Sequence, residues 1–329
     1  LAPGHWRRAI EHGLVLLHST DEARTINLAD AFEEILPTAA STINTGAIVT
    51  QVRLAPLDGM LLLRREFSFD RGHYNNGSFA RSFTNSGQPL RQAFLTYDGA
   101  FPGGADIVKE DLNGDGQTEL VVATGNHVGV YRPDGSILAQ FYPYGTRYQS
   151  TITLAVGDLD GNGKKEIVTG TGNGGGPQVR IFSNTGAALG GFFAYDKRFR
   201  GGVNVAVGDV NGDGKAEIVT GAGIRGGPHV RLFTKNGIAL GGFFAYDKRF
   251  RGGVNVAVGD VNGDGKAEIL TAPGPGRSPF VRILSDHGKS VLHGFFAFEQ
   301  TLRSGVKINA VDLNGDLIDD ILVSTPNIY

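Results

Sequence analysis

The chain has 329 residues, of which 50 are glycine and none is cysteine, and its formal net charge is −2. The lack of cysteine excludes disulfides and thiol chemistry, and no apolar run is long enough to span a membrane as a helix. Together with 40% apolar residues, the glycine content favours an all-β architecture rich in turns.

Residues 1–47 are predicted to form a short helical extension. Thr20 could cap a helix that ends before Pro37. The apolar face of this helix would consist of Leu28, Ala29, Phe32, Ile35 and Leu36. The segment from Trp6 to Leu17 is also compatible with a helix, although it contains Gly13. The extension would mediate docking or assembly, or would cover an edge of the next domain. The first residue is Leu, so we expect a processed protein or an excised fragment.

Residues 48–103 are predicted to form a blade without a metal loop. Two alternating apolar runs, 48–56 and 60–69, are typical of β-strands. Residues 77–97 match the third and fourth strands of the repeat that follows. An alternative is that 77–97 completes the last repeat of the chain instead.

One acidic loop of nine residues occurs five times, and successive copies start 47, 51, 51 and 52 residues apart. The copies are DLNGDGQTE at 111–119, DLDGNGKKE at 158–166, DVNGDGKAE at 209–217 and again at 260–268, and DLNGDLIDD at 312–320. A period of this size is typical of one supersecondary unit stacked on copies of itself.

The loops carry the chemistry of a cation site. Oxygen-bearing side chains occupy loop positions one, three, five and nine, and position seven would contribute its backbone carbonyl. The predicted metal ligands are Asp111, Asn113, Asp115, Gln117, Glu119, Asp158, Asp160, Asn162, Lys164, Glu166, Asp209, Asn211, Asp213, Lys215, Glu217, Asp260, Asn262, Asp264, Lys266, Glu268, Asp312, Asn314, Asp316, Ile318 and Asp320. Such oxygen sets favour Ca²⁺, with up to five ions per chain. The alternative is a set of metal-free Asn/Asp/Gly turns. Leu317 replaces a glycine in the last copy, so that loop departs furthest from the shared pattern.

Four short alternating runs surround each loop; in the third copy they are 203–207, 217–220, 229–233 and 238–246. Such a unit is typical of one four-stranded antiparallel blade of a β-propeller. The predicted propeller spans 48–329, with calcium-loop blades at 104–150, 151–201, 202–252 and 253–305 and a half blade at 306–329. We expect six blades, with five or seven as alternatives.

The run Asp-Lys-Arg-Phe-Arg-Gly-Gly links successive blades at 196–202 and again at 247–253. Phe199 and Phe250 are predicted to pack between blades, and the neighbouring Lys and Arg residues are the first candidate for a partner surface. Phe-Phe-Ala-Tyr at 192–195 is predicted to be outer-strand core, with an aromatic ligand platform as the alternative. Five Ca²⁺ ions would raise the formal charge from −2 to about +8, which could favour anionic partners.

The loops, with motifs such as Gly226-Gly227-Pro228, resemble the FG-GAP repeats of the integrin alpha-subunit propeller and the VCBS-type repeats of bacterial surface proteins. The resemblance covers roughly residues 77–329, and its calcium loop is more specific than its glycine motif. Phe-Phe-Ala-Tyr stands in place of Phe-Gly, so the chain looks like a microbial relative rather than an integrin. The family implies calcium in the first hairpin of each blade and a role in adhesion or ligand binding.

We therefore expect a secreted or cell-surface protein of a microbe, a non-catalytic propeller that binds a protein or glycan. One alternative is a structural subunit of an extracellular filament or surface layer, assembled through residues 1–47. Another is an enzyme acting on polysaccharide, but no acid/base pair stands outside the loops. Nucleic-acid binding is not expected, because the basic residues form no long patch interleaved with aromatic residues.

Overall fold

A computed structural model describes residues 5–10, 13–18, 22–35, 48–54, 59–64, 72–75, 79–95, 106–313 and 316–325. The chain divides into two compact units. The first comprises Leu1–Ser68 and Tyr97–Pro102, and the second comprises Phe69–Thr96 and Gly103–Tyr329. Helix among the described residues is limited to one 3-10 turn, Asp286–Gly288.

The first unit contains one antiparallel sheet of five strands, in the order β1-β2-β5-β3-β4. The strands are β1 His5–Ile10, β2 Gly13–His18, β3 Arg24–Ile35, β4 Ile48–Leu54 and β5 Gly59–Arg64.

The prediction of a helical extension over residues 1–47 is therefore wrong for the residues described. Residues 24–35, which carry the supposed helical face, form β3 between β4 and β5, and Trp6 to Leu17 falls in β1 and β2. Pairing with strands on both sides satisfies the backbone of β3 and overrides a local helical pattern. Thr20 and Pro37, the predicted helix ends, lie outside the described residues.

The second unit is a five-bladed propeller, and each blade is an antiparallel sheet. Blade 1 consists of β6 Gly72–Asn75, β9 Asp106–Glu110, β10 Glu119–Thr124, β11 His127–Tyr131 and β12 Ile137–Phe141. Blade 2 consists of β13 Ile152–Gly157, β14 Glu166–Thr171, β15 Gln178–Phe182 and β16 Ala188–Phe193. Blade 3 consists of β17 Val203–Gly208, β18 Glu217–Ala222, β19 His229–Phe233 and β20 Ala239–Phe244. Blade 4 consists of β21 Val254–Gly259, β22 Glu268–Pro273, β23 Phe280–Ser285 and β24 Ser290–Phe296. Blade 5 consists of β25 Lys307–Val311, β26 Asp320–Ser324, β7 Phe79–Phe83 and β8 Pro89–Leu95.

The prediction of six blades is wrong, and the five-blade alternative is confirmed. Strand β7 pairs with β26, so 79–95 completes the last blade instead of belonging to a separate blade at 48–103. Strands β4 and β5 belong to the first unit. Without β7, strand β26 would leave an unpaired edge next to the buried Ile321 and Val323.

The ring closes because the innermost strands of neighbouring blades pack side by side. Strand β9 contacts β13, the contact repeats through β17, β21 and β25, and β25 contacts β6 of blade 1. The hydrophobic cores lie between blades; Val179 and Ile181 of blade 2, for example, pack with Val205 and Ile218 of blade 3. This arrangement buries both faces of the second strand in blades 2 to 4, so β14, β18 and β22 are buried along their whole length.

Candidate metal centre

Each acidic loop connects two adjacent strands of a blade: the first and second strands in blades 2 to 5, and β9 and β10 in blade 1, where β6 is an additional inner strand. In chain order they follow β9, β13, β17, β21 and β25. Because these strands are equivalent in every blade, the loops lie at the same end of the ring, which we call the acidic face.

The third loop, 209–217, shows how aspartate and glycine build the turn. The carboxylate of Asp209 accepts the N–H of Gly212 at 2.6 Å through Oδ1 and the N–H of Gly214 at 2.7 Å through Oδ2. Both glycines have positive φ, at 80° and 83°, where a side chain would be strained. The repeated Asp-x-x-Gly-x-Gly spacing is therefore a requirement of this backbone.

The predicted ligand side chains of this loop meet inside it. The amide nitrogen of Asn211 donates to Glu217 Oε1 at 2.6 Å and to Asp213 Oδ2 at 3.2 Å. Glu217 Oε2 accepts the N–H of Val210 at 3.1 Å. The first and fourth loops repeat the amide-to-glutamate contact, at 3.2 and 2.7 Å. In all five loops, position seven donates its N–H to the side chain at position five, at 2.7 to 2.9 Å. Its carbonyl group as a ligand stays a prediction.

The electrostatics of the loop favour a cation. Burial raises the pKa of Glu217 to about 7, and the nearby carboxylates of Asp213 and Asp209 act in the same sense. Glu268 in the fourth loop has its pKa raised to about 7 for the same reasons. A bound cation would remove the repulsion among these carboxylates.

The donor set of the third loop fits calcium, which takes six to eight oxygen ligands in a flexible geometry. Asp209, Asp213 and Glu217 would hold the ion with Asn211. In the present arrangement the amide nitrogen of Asn211 faces the carboxylates. To act as a ligand, the amide would have to turn so that its oxygen faces the ion. The ion would supply charge neutralisation and rigidity to the hairpin.

The second loop, 158–166, differs from the others. Its carboxylates Asp158, Asp160 and Glu166 offer oxygen atoms that all lie within 4.8 Å of one another. The ammonium group of Lys235, from blade 3, lies 2.6 Å from Asp160 Oδ2 and 2.8 Å from Glu166 Oε1. Lys235 is not among the site residues predicted from the sequence. The available signal was the aspartate at position three, which only this copy has.

The last loop, 312–320, keeps the same turn without its second glycine. The N–H of Leu317 donates to Asp312 Oδ2 at 3.0 Å, and Asp320 accepts the N–H of Leu313 at 3.2 Å. Leu317 has φ 69° and is 88% exposed, so it adopts a glycine conformation with a leucine side chain. Asn314 lies outside the described residues.

The opposite end of the ring, which we call the basic face, carries the turns between the second and third strands and the links between blades. Because consecutive strands of a blade are antiparallel, these segments lie away from the acidic loops. Among the described residues they contain three acidic side chains, Asp196, Asp247 and Glu299. They contain ten basic ones: Arg147, Lys197, Arg198, Arg200, Arg225, Lys248, Arg249, Arg251, Arg277 and Arg303.

The links between blades hold their basic side chains in a repeated geometry. Arg200 donates through Nη1 to the carbonyls of Lys197 and Phe199, at 2.5 and 3.0 Å, and so closes its own loop. Lys197 Nζ lies 5.2 Å from the ring centroid of Phe193, which is 39% exposed. The prediction that Phe193 belongs to the core is therefore wrong, whereas Ala194 of the same run is fully buried.

A cavity of about 290 Å³ opens at the centre of the basic face. Its wall includes Thr153, Asn204, Asn255 and Lys307, which stand five residues before their loops in successive blades. Asn204 and Asn255 donate to backbone carbonyls of the next blade, those of Val254 and Val306, both at 2.7 Å. Thr153 donates to the carbonyl of Val203 at 2.9 Å. These contacts join the inner strands around the cavity.

The part of the chain that the structure describes contains no helix that is long and apolar enough to cross a membrane.

Comparison with known proteins identifies the repeat. The FG-GAP-like repeat model matches residues 111–169 and 158–220, and the FG-GAP repeat model matches 252–280. No curated protein matches this chain in the sequence search.

Several solved structures are similar in fold at low identity. The exotype rhamnogalacturonan lyase YesX is 14% identical with a TM-score of 0.38, and the similarity covers 87% of this chain and 63% of the lyase chain. The Bacillus licheniformis rhamnogalacturonan lyase PL11 is 14% identical with a TM-score of 0.39, covering 98% and 74%. BBS1N, crystallised with ARL6DN, is 12% identical with a TM-score of 0.43, covering 99% and 93%. This chain thus spans less than two thirds of the length of YesX, and at these TM-scores the similarities carry no inference about activity. The acidic loops, the family matches and the five blades together show a β-propeller with FG-GAP repeats, matched over residues 111–220 and 252–280.

Proposed function

We propose that this chain is a non-catalytic, calcium-stabilised propeller that binds an anionic protein or glycan at a microbial cell surface or in a secreted assembly. The observation that carries the proposal is the separation of charge between the two faces of the ring. Ten basic and three acidic side chains lie in the described turns and links of the basic face, opposite the acidic loops.

Calcium has a structural role in this proposal. In blades 2 to 5 the loops join the two strands nearest the centre of the ring, and in blade 1 the loop joins β9 and β10, so an ion in a loop would stabilise one hairpin of the blade. Extracellular modules of this type bind calcium at about 10⁻⁴–10⁻³ M, which suits an environment where the ion is abundant.

The basic face is the binding surface in this proposal. A surface with one dominant sign of charge concentrates ligands of the opposite sign and speeds their association. The central cavity, whose lining includes Lys307, opens on the same face and would accept a group that projects from the ligand.

The acidic side chains of the basic face support a non-catalytic role. Asp196, Asp247 and Glu299 each pair with an arginine, at 2.9 to 3.1 Å. The paired Arg198 lowers the pKa of Asp196 to about 2, which makes it a poor proton donor near neutral pH. Most of the other described carboxylates of the propeller belong to the loops.

The calcium role is tested by thermal unfolding in calcium and in EDTA. A ligand that binds only the folded state raises the melting temperature, so we expect a lower melting temperature in EDTA. Identical melting curves would rule out structural calcium.

The binding role is tested on an array of acidic and neutral glycans, with anionic proteins as a second set of probes. We expect retention of acidic ligands that weakens with salt and is lost in the double variant Lys197→Glu/Lys248→Glu. The matched control is Arg132→Glu/Lys289→Glu, which changes the same charge in turns of the acidic face and should bind normally. Equal loss in both variants, or release of cleaved product from a glycan, would contradict the proposal.

A further inference from the structure

Lys235 lies in the turn between the third and fourth strands of blade 3, yet its side chain enters a loop of blade 2. Its ammonium group contacts Asp160 at 2.6 Å and Glu166 at 2.8 Å. The exposed fractions of the side chains are 24% for Lys235, 7% for Glu166 and 39% for Asp160, so the contact between Lys235 and Glu166 is largely covered. The contact is therefore more than a loose surface ion pair.

The second loop is also altered in sequence at the place where the ammonium group binds. Position three holds Asp160, whereas the other four copies have asparagine there. Position five holds Asn162, whereas the other four have aspartate. The number of carboxylates is unchanged, but one of them has moved from position five to position three, where Lys235 contacts it.

The same turn approaches the neighbouring loop elsewhere in the ring. In blade 2 the corresponding residue is Asn184, whose amide nitrogen lies 3.3 Å from the carbonyl oxygen of Leu112 in the first loop. The corresponding residues of the other blades are Asn85, Pro133 and Asp286. Lysine occurs at this position only in blade 3, opposite the one loop with the altered acid.

We propose that the ammonium group of Lys235 takes the place of calcium in the 158–166 loop, so that this loop is a lysine-filled site that joins blades 2 and 3 without a metal. Calcium could enter this loop only by displacing a tethered cation from two carboxylates, one of them buried. The chain therefore binds one calcium ion fewer than it would without Lys235. This inference rests on the proposed binding of calcium by the other loops.

The first test is the calcium stoichiometry of the whole chain by isothermal titration calorimetry. Lys235→Met should bind one more calcium ion per chain than the wild type. Its melting temperature should fall in EDTA, because three carboxylates lose their counter-ion, and should recover in calcium. Lys289→Met is the matched control: it removes the same charge from an exposed lysine in the turn between the third and fourth strands of blade 4, outside every acidic loop, and should leave the stoichiometry unchanged.

A reciprocal variant tests the same inference independently, even if Lys235→Met fails to fold. Asn184→Lys with Asn113→Asp and Asp115→Asn copies the second loop and its lysine onto the first loop, and should remove one calcium ion per chain. Unchanged stoichiometry in Lys235→Met and in the reciprocal variant would overturn this inference alone. A chain that binds no calcium in any variant would overturn both this inference and the proposed role of calcium.

Discussion

The hydroxyl oxygen of Tyr195 lies 2.7 Å from the carbonyl oxygen of His229 in the following blade. It also lies 3.0 Å from the carbonyl oxygen of Thr220, so one proton serves two acceptors of the neighbouring sheet. Burial raises the pKa of Tyr195, which keeps the hydroxyl protonated as a donor. Tyr144 and Tyr246 make the corresponding contacts at the preceding and following junctions.

Tyr195→Phe should lower the free energy of unfolding by about 1 kcal/mol, because it leaves buried carbonyls without their donor. Tyr142→Phe is the control, since Tyr142 is 51% exposed and its substitution should be neutral. Urea unfolding of both variants measures the difference. Equal stability of Tyr195→Phe and the wild type would show that the junction does not depend on this hydroxyl.

Glu217→Gln should have opposite effects with and without calcium. Because the pKa of Glu217 is raised to about 7 in the folded chain, folding favours its protonated form. Without metal, the ionised group therefore destabilises the chain increasingly as pH rises from about 4.5 to about 7, and the cost is complete above that range. At pH 8 the variant should melt higher than the wild type in EDTA and lower in saturating calcium.

Calorimetric melting of the Glu217→Gln variant in both buffers checks this inversion. A variant that melts lower in both would show that the carboxylate matters to the fold and not to the ion. Glu268→Gln is a second copy of the experiment, because Glu268 has the same contacts and the same raised pKa.

Leu317→Gly should stabilise the propeller by about 1 kcal/mol. The φ of Leu317 is 69°, and a left-handed conformation costs a residue with a side chain about 1–2 kcal/mol. Part of that gain is offset by the greater freedom of glycine in the unfolded chain. Leu317→Ala is the control, because it removes the exposed side chain but keeps the strain. A gain from alanine as large as that from glycine would mean that strain is not the cause.

Phe83→Ala should destabilise the ring by about 3–5 kcal/mol, as is usual for truncation of a buried aromatic side chain. Phe83 is 5% exposed, packs in a core with Ile321 and Val323, and lies 4.7 Å from the ring of Phe295. It belongs to β7, the strand that completes blade 5. Thermal unfolding of the variant measures how far the whole ring depends on this closure, and a near-wild-type curve would argue against it.

Several features of the blade were available in the sequence because they repeat. The Asp-x-x-Gly-x-Gly spacing marks a tight turn, and in the third copy the carboxylate of Asp209 accepts the N–H groups of Gly212 and Gly214. The junction hydroxyl also has a signature. Tyr195 and Tyr246 each contact a threonine of the following blade. At the next junction the tyrosine is replaced by Phe298 and the threonine by Val323, so both hydroxyl groups are missing together.

The errors fall where the repeat stops. Residues 48–64 alternate in the manner of strands whether they join a propeller blade or another sheet, because alternation reports that one face is buried and not which neighbour covers it. The segment 24–35 has apolar residues at a helical spacing, but its backbone pairs with β4 and β5. The spacing of apolar residues within one segment does not indicate which distant strands its backbone will pair with.

By itself the sequence determined the repeating unit: four strands, one acidic loop and a positively charged link, because these depend on residues close together in the chain. Only the tertiary structure decided the closure of the ring by β7 and β8, the separation of acidic and basic faces, and the entry of Lys235 into the loop of Glu166. The separation of the two faces depends on the antiparallel order of the strands in each blade. The closure of the ring and the entry of Lys235 depend on contacts between residues that are 69 or more positions apart, such as Lys235 and Glu166. The spacing of residues along the chain does not indicate such contacts, because they form only when the blades close into a ring.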